Sequence, residues 1–146
     1  MTSALIGLEP KEIWKHFDAL AKIPRASTKE AAASEYVVAQ AGHLGLEVMQ
    51  DRVGNLVIRK PAHAGREAAP MTILQGHLDM VCEKNEGTAH NFDKDPIQIT
   101  RDGDWLRAEG TTLGADTDFY GREFLGVPES GLGANLKING PPLKVG

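Results

Sequence analysis

Apolar positions recur at helical spacing over the first 45 residues. Ile13, Trp14, Phe17, Leu20 and Ala21 fall on one stripe, Pro10 stands where a helix's first turn tolerates a missing N–H, and Pro24 closes the segment. Ser27-Thr28-Lys29-Glu30 has the form of a capping box, in which Ser27 and Glu30 satisfy each other's backbone donors. Behind it Ala33, Tyr36, Val37, Ala41 and Leu44 repeat at the same spacing, and Gly45 is a natural stop. The pattern predicts two amphipathic helices, with Trp14 and Phe17 in the core.

The period then shortens. Leu46 and Val48 alternate with polar residues, Val53-Gly54-Asn55 reads as a turn, and Leu56-Val57-Ile58 as a second strand. Residues 61–70 form a polar loop. Met71-Thr72-Ile73-Leu74 is a nearly unbroken apolar run, the mark of a strand buried on both faces. Residues 83–96 carry no period and read as a long surface loop. Ile97-Gln98-Ile99 and Trp105-Leu106-Arg107-Ala108 flank Asp102-Gly103-Asp104 as a hairpin. Helices first and strands after them predict an α/β fold: two helices, then a mixed, largely parallel sheet.

The end of the chain differs in kind. From Gly121 to Gly146 it carries six glycines and three prolines, and no period persists. Loose or extended structure is expected there.

Composition narrows the function. Apolar residues make up 41% and charged ones 25% of 146 residues, the balance of an ordinary globular domain. Sixteen Lys and Arg against 20 Asp and Glu leave a net charge of −4, which excludes a basic protein held to nucleic acid by phosphate contacts. No apolar run approaches the roughly 20 residues needed to span a bilayer. The opening Met1-Thr2-Ser3 lacks a basic region, so no signal peptide is expected. The single cysteine, Cys82, fits a reducing compartment and leads us to expect a cytoplasmic protein.

Two stretches carry candidate chemistry. In Gln75-Gly76-His77-Leu78-Asp79-Met80 an imidazole and a carboxylate stand two residues apart after a strand, on the same side of an extended backbone. Neutral imidazole is a good metal ligand, and a carboxylate commonly fixes its tautomer. Taken alone, the pair reads more plainly as a structural histidine beside a solvated aspartate. Gly110-Thr111-Thr112-Leu113-Gly114-Ala115-Asp116 sets a carboxylate after small residues that let backbone approach a ligand, but alone it is an ordinary glycine-rich turn. Cys82 beside Val81 reads as a structural thiol. His16 reads as a surface or boundary residue, and His43, His63 and His90 as solvated. Asp93/Asp95 and Asp102/Asp104 fail calcium-loop spacing. Gly131 and Gly133 lack the third glycine and preceding strand of a dinucleotide loop.

The order of the motifs is more specific than any one of them. Gln75-Gly-His-Leu-Asp-Met-Val, Lys84-Asn-Glu, His90-Asn-Phe-Asp-Lys-Asp-Pro-Ile and Gly103-Asp-Trp-Leu-Arg-Ala-Glu-Gly-Thr-Thr-Leu-Gly-Ala-Asp resemble the aminoacyl-histidine dipeptidases, a family of two-zinc aminopeptidase-like hydrolases. Ile23-Pro24-Arg25 and Val53-Gly54-Asn55-Leu56 are similar to the opening of the same family. The likeness runs from Leu8 to Asp116. It implies residues 1–116 as the N-terminal part of a metallopeptidase catalytic domain and 117–146 as a divergent Gly/Pro-rich tail. It also implies His77 as a zinc ligand, Asp116 as a carboxylate bridging two zinc ions and Asp79 as the catalytic aspartate. The substrates it implies are small Xaa-His dipeptides, whose carbonyl is attacked by metal-activated water while a Glu moves the proton.

The likeness breaks after Asp116. Where the family continues with Asn-Gly, this chain has Thr117-Asp118-Phe119-Tyr120, and it holds no adjacent Glu pair. Two matched ligands are fewer than the three that a zinc site takes. A truncated site is therefore expected, with a non-catalytic remnant that binds metal weakly as the alternative, and a deacylase acting on another amide as a third reading. Without neighbours for residues 71–75, an exposed apolar patch and self-association are expected.

Overall fold

Two helices, two antiparallel hairpins and the irregular segments joining them make up what the computed structural model describes, residues 1–111 and 143–144. A short 3-10 turn, Ser3–Leu5, leads through Leu8 to α1 (Lys11–Ala21), and α2 follows at Ala31–His43. The strands are β1 (Glu47–Gln50), β2 (Leu56–Arg59), β3 (Ile99–Asp102), β4 (Trp105–Ala108) and the two-residue β5 (Leu143–Lys144).

Helix α1 starts directly after Pro10, and the Trp14 indole N–H donates to the Glu9 carbonyl at 3.2 Å. Trp14 and Phe17 meet edge to face with centroids 5.7 Å apart and pack on the core, as the stripe predicts. Ile13, on the same stripe, is exposed. Helix α2 buries small residues, Ala33, Ser34 and Ala41, and ends with Leu44 exposed. His16 ties the two helices through a 2.6 Å hydrogen bond between its Nδ1 and the Tyr36 hydroxyl.

Each hairpin is closed by its own turn chemistry. Between β1 and β2 the Asp51 carboxylate accepts from the Val53 and Asn55 N–H groups, both at 2.9 Å, while Gly54 takes a φ of 97°. The register pairs Glu47 with Arg59 and Gln50 with Leu56. Between β3 and β4 the loop is Gly103-Asp104, with Gly103 at φ 58° in the position that primed turns reserve for glycine. Burial alternates along β4, with Leu106 and Ala108 inside and Trp105 and Arg107 outside. Strand β5 adds to the outer edge of β4. One core gathers Leu5, Leu8, Ala21, Met80, Ile97, Ile99 and Leu106, joining the N-terminal turn, the end of α1 and the second hairpin.

Among the described residues the expected largely parallel sheet is not seen. Both sheets are antiparallel, and the parallel pairing among the described residues is a lone bridge between Ala26 and Met80. Nor do Met71, Ile73 and Leu74 form a buried strand: they are 82%, 82% and 85% exposed, and no described strand pairs with them. A parallel strand exists only between neighbours that supply hydrogen bonds and cover its faces, whereas a hairpin closes on itself. Asp116, the Gly131–Leu136 segment and nearly all of the 117–146 tail lie outside the described residues. No described helix is long and apolar enough to cross a membrane.

Candidate functional site

The site rests on one buried anchor. Met80, 4% exposed, sits in the core, and its N–H donates to the Arg25 carbonyl at 3.0 Å. That bond and the Ala26–Met80 bridge lay the 25–27 segment alongside 78–80. His77 and Asp79, immediately before the anchor, are held at the surface with side chains 39% and 33% exposed.

The two side chains meet: His77 Nδ1 lies 2.6 Å from Asp79 Oδ1. The other carboxylate oxygen, Oδ2, accepts from the Ser27 hydroxyl at 2.5 Å. Ser27, Asp79 and His77 therefore form a chain across both carboxylate oxygens. The Ser27 hydroxyl is the largest influence holding the Asp79 carboxyl below its usual range; burial opposes it, and His77 adds to it. A carboxylate on Nδ1 places the imidazole proton there, which makes Nε2 the basic nitrogen of the ring.

Sequence reasoning assigned Ser27 elsewhere. The capping box does not form, because Ser27 is turned to Asp79 while Glu30 reaches back to the Thr28 N–H at 2.7 Å, and α2 begins without a side-chain cap. A capping signal is local, whereas the partner that wins the hydroxyl stands 52 residues away in sequence.

The 83–96 loop packs against the same region. Lys29 Nζ pairs with Asp93 Oδ1 at 2.6 Å, and a groove of about 330 Å³ lies between Pro24, Ala26 and Lys29 on one side and Phe92 and Asp93 on the other. His90 is less solvated than its sequence context predicts: its ring stacks edge-on against Phe92 at 4.5 Å, and its Nε2 is buried. Burial pushes the Cys82 thiol up, with the Asp93 charge adding to it, which fits a structural thiol. Gly110 does permit a close backbone approach, but to the loop: a Cβ there would lie 2.7 Å from the Thr88 hydroxyl.

His77 and Asp79 do not make a metal centre by themselves. Among the described residues no three His, Cys, Asp or Glu side chains converge to hold an ion, and Asp79 is engaged by its two partners. A zinc site takes at least three protein ligands. Asp116 lies outside the described residues, so the structure brings together two of the three sequence candidates.

No family model matches the chain. Over 114 residues it is 49% identical to the cytosol non-specific dipeptidase of Escherichia coli strain K12, an alignment covering 78% of this chain and 24% of that protein. Among solved structures it is similar to the aminoacylhistidine dipeptidase from Vibrio alginolyticus, with a TM-score of 0.74 and 46% identity. That likeness covers 78% of this chain and 23% of the other. The resemblance read from the motifs thus holds in sequence and in backbone, and the chain spans about a quarter of the length of the relatives it matches.

Proposed function

We propose that this chain, which resembles about a quarter of two known dipeptidases over most of its own length, is a dipeptidase segment that supplies part of a zinc-dependent site for cleaving Xaa-His dipeptides. Residues 1–116 form the catalytic part and 117–146 a divergent tail. The observation that carries the reading is the His77–Asp79 contact at 2.6 Å, the arrangement that prepares an imidazole to bind a metal through Nε2. His77 and Asp116 are the residues that would hold the metal, and Asp79 is the proposed catalytic aspartate. Zinc, when bound, supplies the Lewis acidity that peptide hydrolysis needs. The names of the two relatives share dipeptides as substrates and differ in breadth, so dipeptides are the substrate class proposed here and Xaa-His dipeptides the narrower choice within it. The E. coli relative's name and the lone thiol support a cytosolic setting.

The small number of metal-binding side chains that converge among the described residues favours a second reading, a non-catalytic chain that binds metal weakly. Zinc titration of the wild type and of His77→Ala, with Xaa-His hydrolysis assayed on the same samples, separates the two. Stoichiometric binding that is lost in His77→Ala, together with hydrolysis, supports the dipeptidase. Weak binding without hydrolysis supports the second reading.

A further inference from the structure

A carboxylate bound at one oxygen still turns about its last torsion, which is broad and roughly two-fold. Asp79 is bound at both oxygens: Oδ1 faces His77 Nδ1 at 2.6 Å and Oδ2 receives the Ser27 hydroxyl at 2.5 Å. We propose that Ser27 is a positioning residue for this site, its hydroxyl fixing the plane of the Asp79 carboxylate so that His77 is held in the Nδ1–H tautomer. The inference rests on the reading of His77 as a ligand oriented by Asp79.

Three features place Ser27 there independently of the bond itself. The Arg25 carbonyl and Ala26 dock on Met80, which brings the serine beside Asp79 from 52 residues away. Lys29, two residues on, is tied to Asp93 at 2.6 Å and holds the other end of the segment. Between them Thr28 takes a φ of 73°, a left-handed conformation that a β-branched residue rarely adopts and that persists only where surrounding contacts impose it. The hydroxyl has a local alternative, capping α2, which the structure leaves unused. A hydroxyl donating to a carboxylate at this distance is among the stronger neutral-donor bonds.

The test reads the imidazole directly. In the metal-free 146-residue chain labelled with nitrogen-15, ring correlations of His77, assigned by comparison with His77→Gln, report the Nδ1–H to Nε2–H ratio at one fixed pH near 8. The wild type is expected to be dominated by Nδ1–H. Ser27→Ala is expected to lower the ratio by at least about threefold, the order of effect of losing one ordinary hydrogen bond, and Ser27→Thr to restore it. A ratio unchanged in Ser27→Ala, with the backbone amide spectrum preserved, overturns the proposal, as does a wild type dominated by Nε2–H. If Ser27→Ala does not fold, Ser27→Cys, with a weaker donor of similar size, is read the same way. Zinc titration of the same samples separates the two claims. A tautomer that follows Ser27 without zinc binding removes the metal reading and leaves Ser27 in place. Zinc binding with an unmoved tautomer does the reverse.

Discussion

Asp18 is a nearly buried carboxylate on α1, and its surroundings decide its charge. Burial pushes its carboxyl up, but hydrogen bonds from Lys22, at 2.7 Å, and from the Thr2 hydroxyl and N–H together outweigh it and bring the pKa to about 2. A carboxyl depressed in the folded state stabilises the fold above its unfolded pKa, near 4, and that contribution is lost as pH falls through about 2. Asp18→Asn is expected to cost about 2 kcal/mol at neutral pH and to flatten the acid limb of stability between roughly pH 4 and 2, read by urea unfolding across that range. Cys82 gives a second test at this scale. Its raised pKa and partial burial predict slow alkylation at neutral pH compared with a free thiol, followed by mass spectrometry.

Among the elements, the second hairpin carries the core. Leu106 is fully buried in β4 between the N-terminal turn and the end of α1, and Leu106→Ala is expected to cost about 2–5 kcal/mol in denaturant unfolding. Gly110, just beyond β4, stands at φ 69°, and its carbonyl accepts from the Asn85 N–H at 2.8 Å, so it docks the 83–96 loop. Gly110→Ala meets both left-handed strain and the Thr88 side chain, and is expected to cost about 1–2 kcal/mol and to speed hydrogen exchange at Asn85 and Thr88. These hairpins were legible in sequence because their turns are made of nearby residues: Asp51 with Asn55, and Gly103 between alternating strands. Helix α2 was legible as a helix, but its start was not, since Ser27 answers to Asp79.

At the scale of the whole molecule, Met71, Ile73 and Leu74 form an exposed apolar run with which no described strand pairs, and Leu44, Val53 and Val57 are exposed elsewhere. Apolar segments left uncovered favour association with other copies. The chain is expected to associate reversibly with rising concentration and to bind a hydrophobic dye. Ile73→Lys is expected to reduce both, in sedimentation velocity and dye fluorescence, while changing stability by less than about 0.5 kcal/mol. A monomer at all concentrations with little dye binding overturns this expectation.

By itself the sequence determined what depends on neighbours along the chain: the two helices, both hairpins, the Trp14–Phe17 core contact and the family likeness carried by ordered motifs. Only the tertiary structure decided whether residues 71–74 pair, because a parallel strand is defined by partners distant in sequence. It likewise decided the company that Asp79 keeps. The spacing of His77 and Asp79 already put them on one side, but the third member of the chain arrives through the docking of Arg25 and Ala26 on Met80. A hydroxyl takes the acceptor that folding brings within reach, and no periodicity in the chain records which one that is.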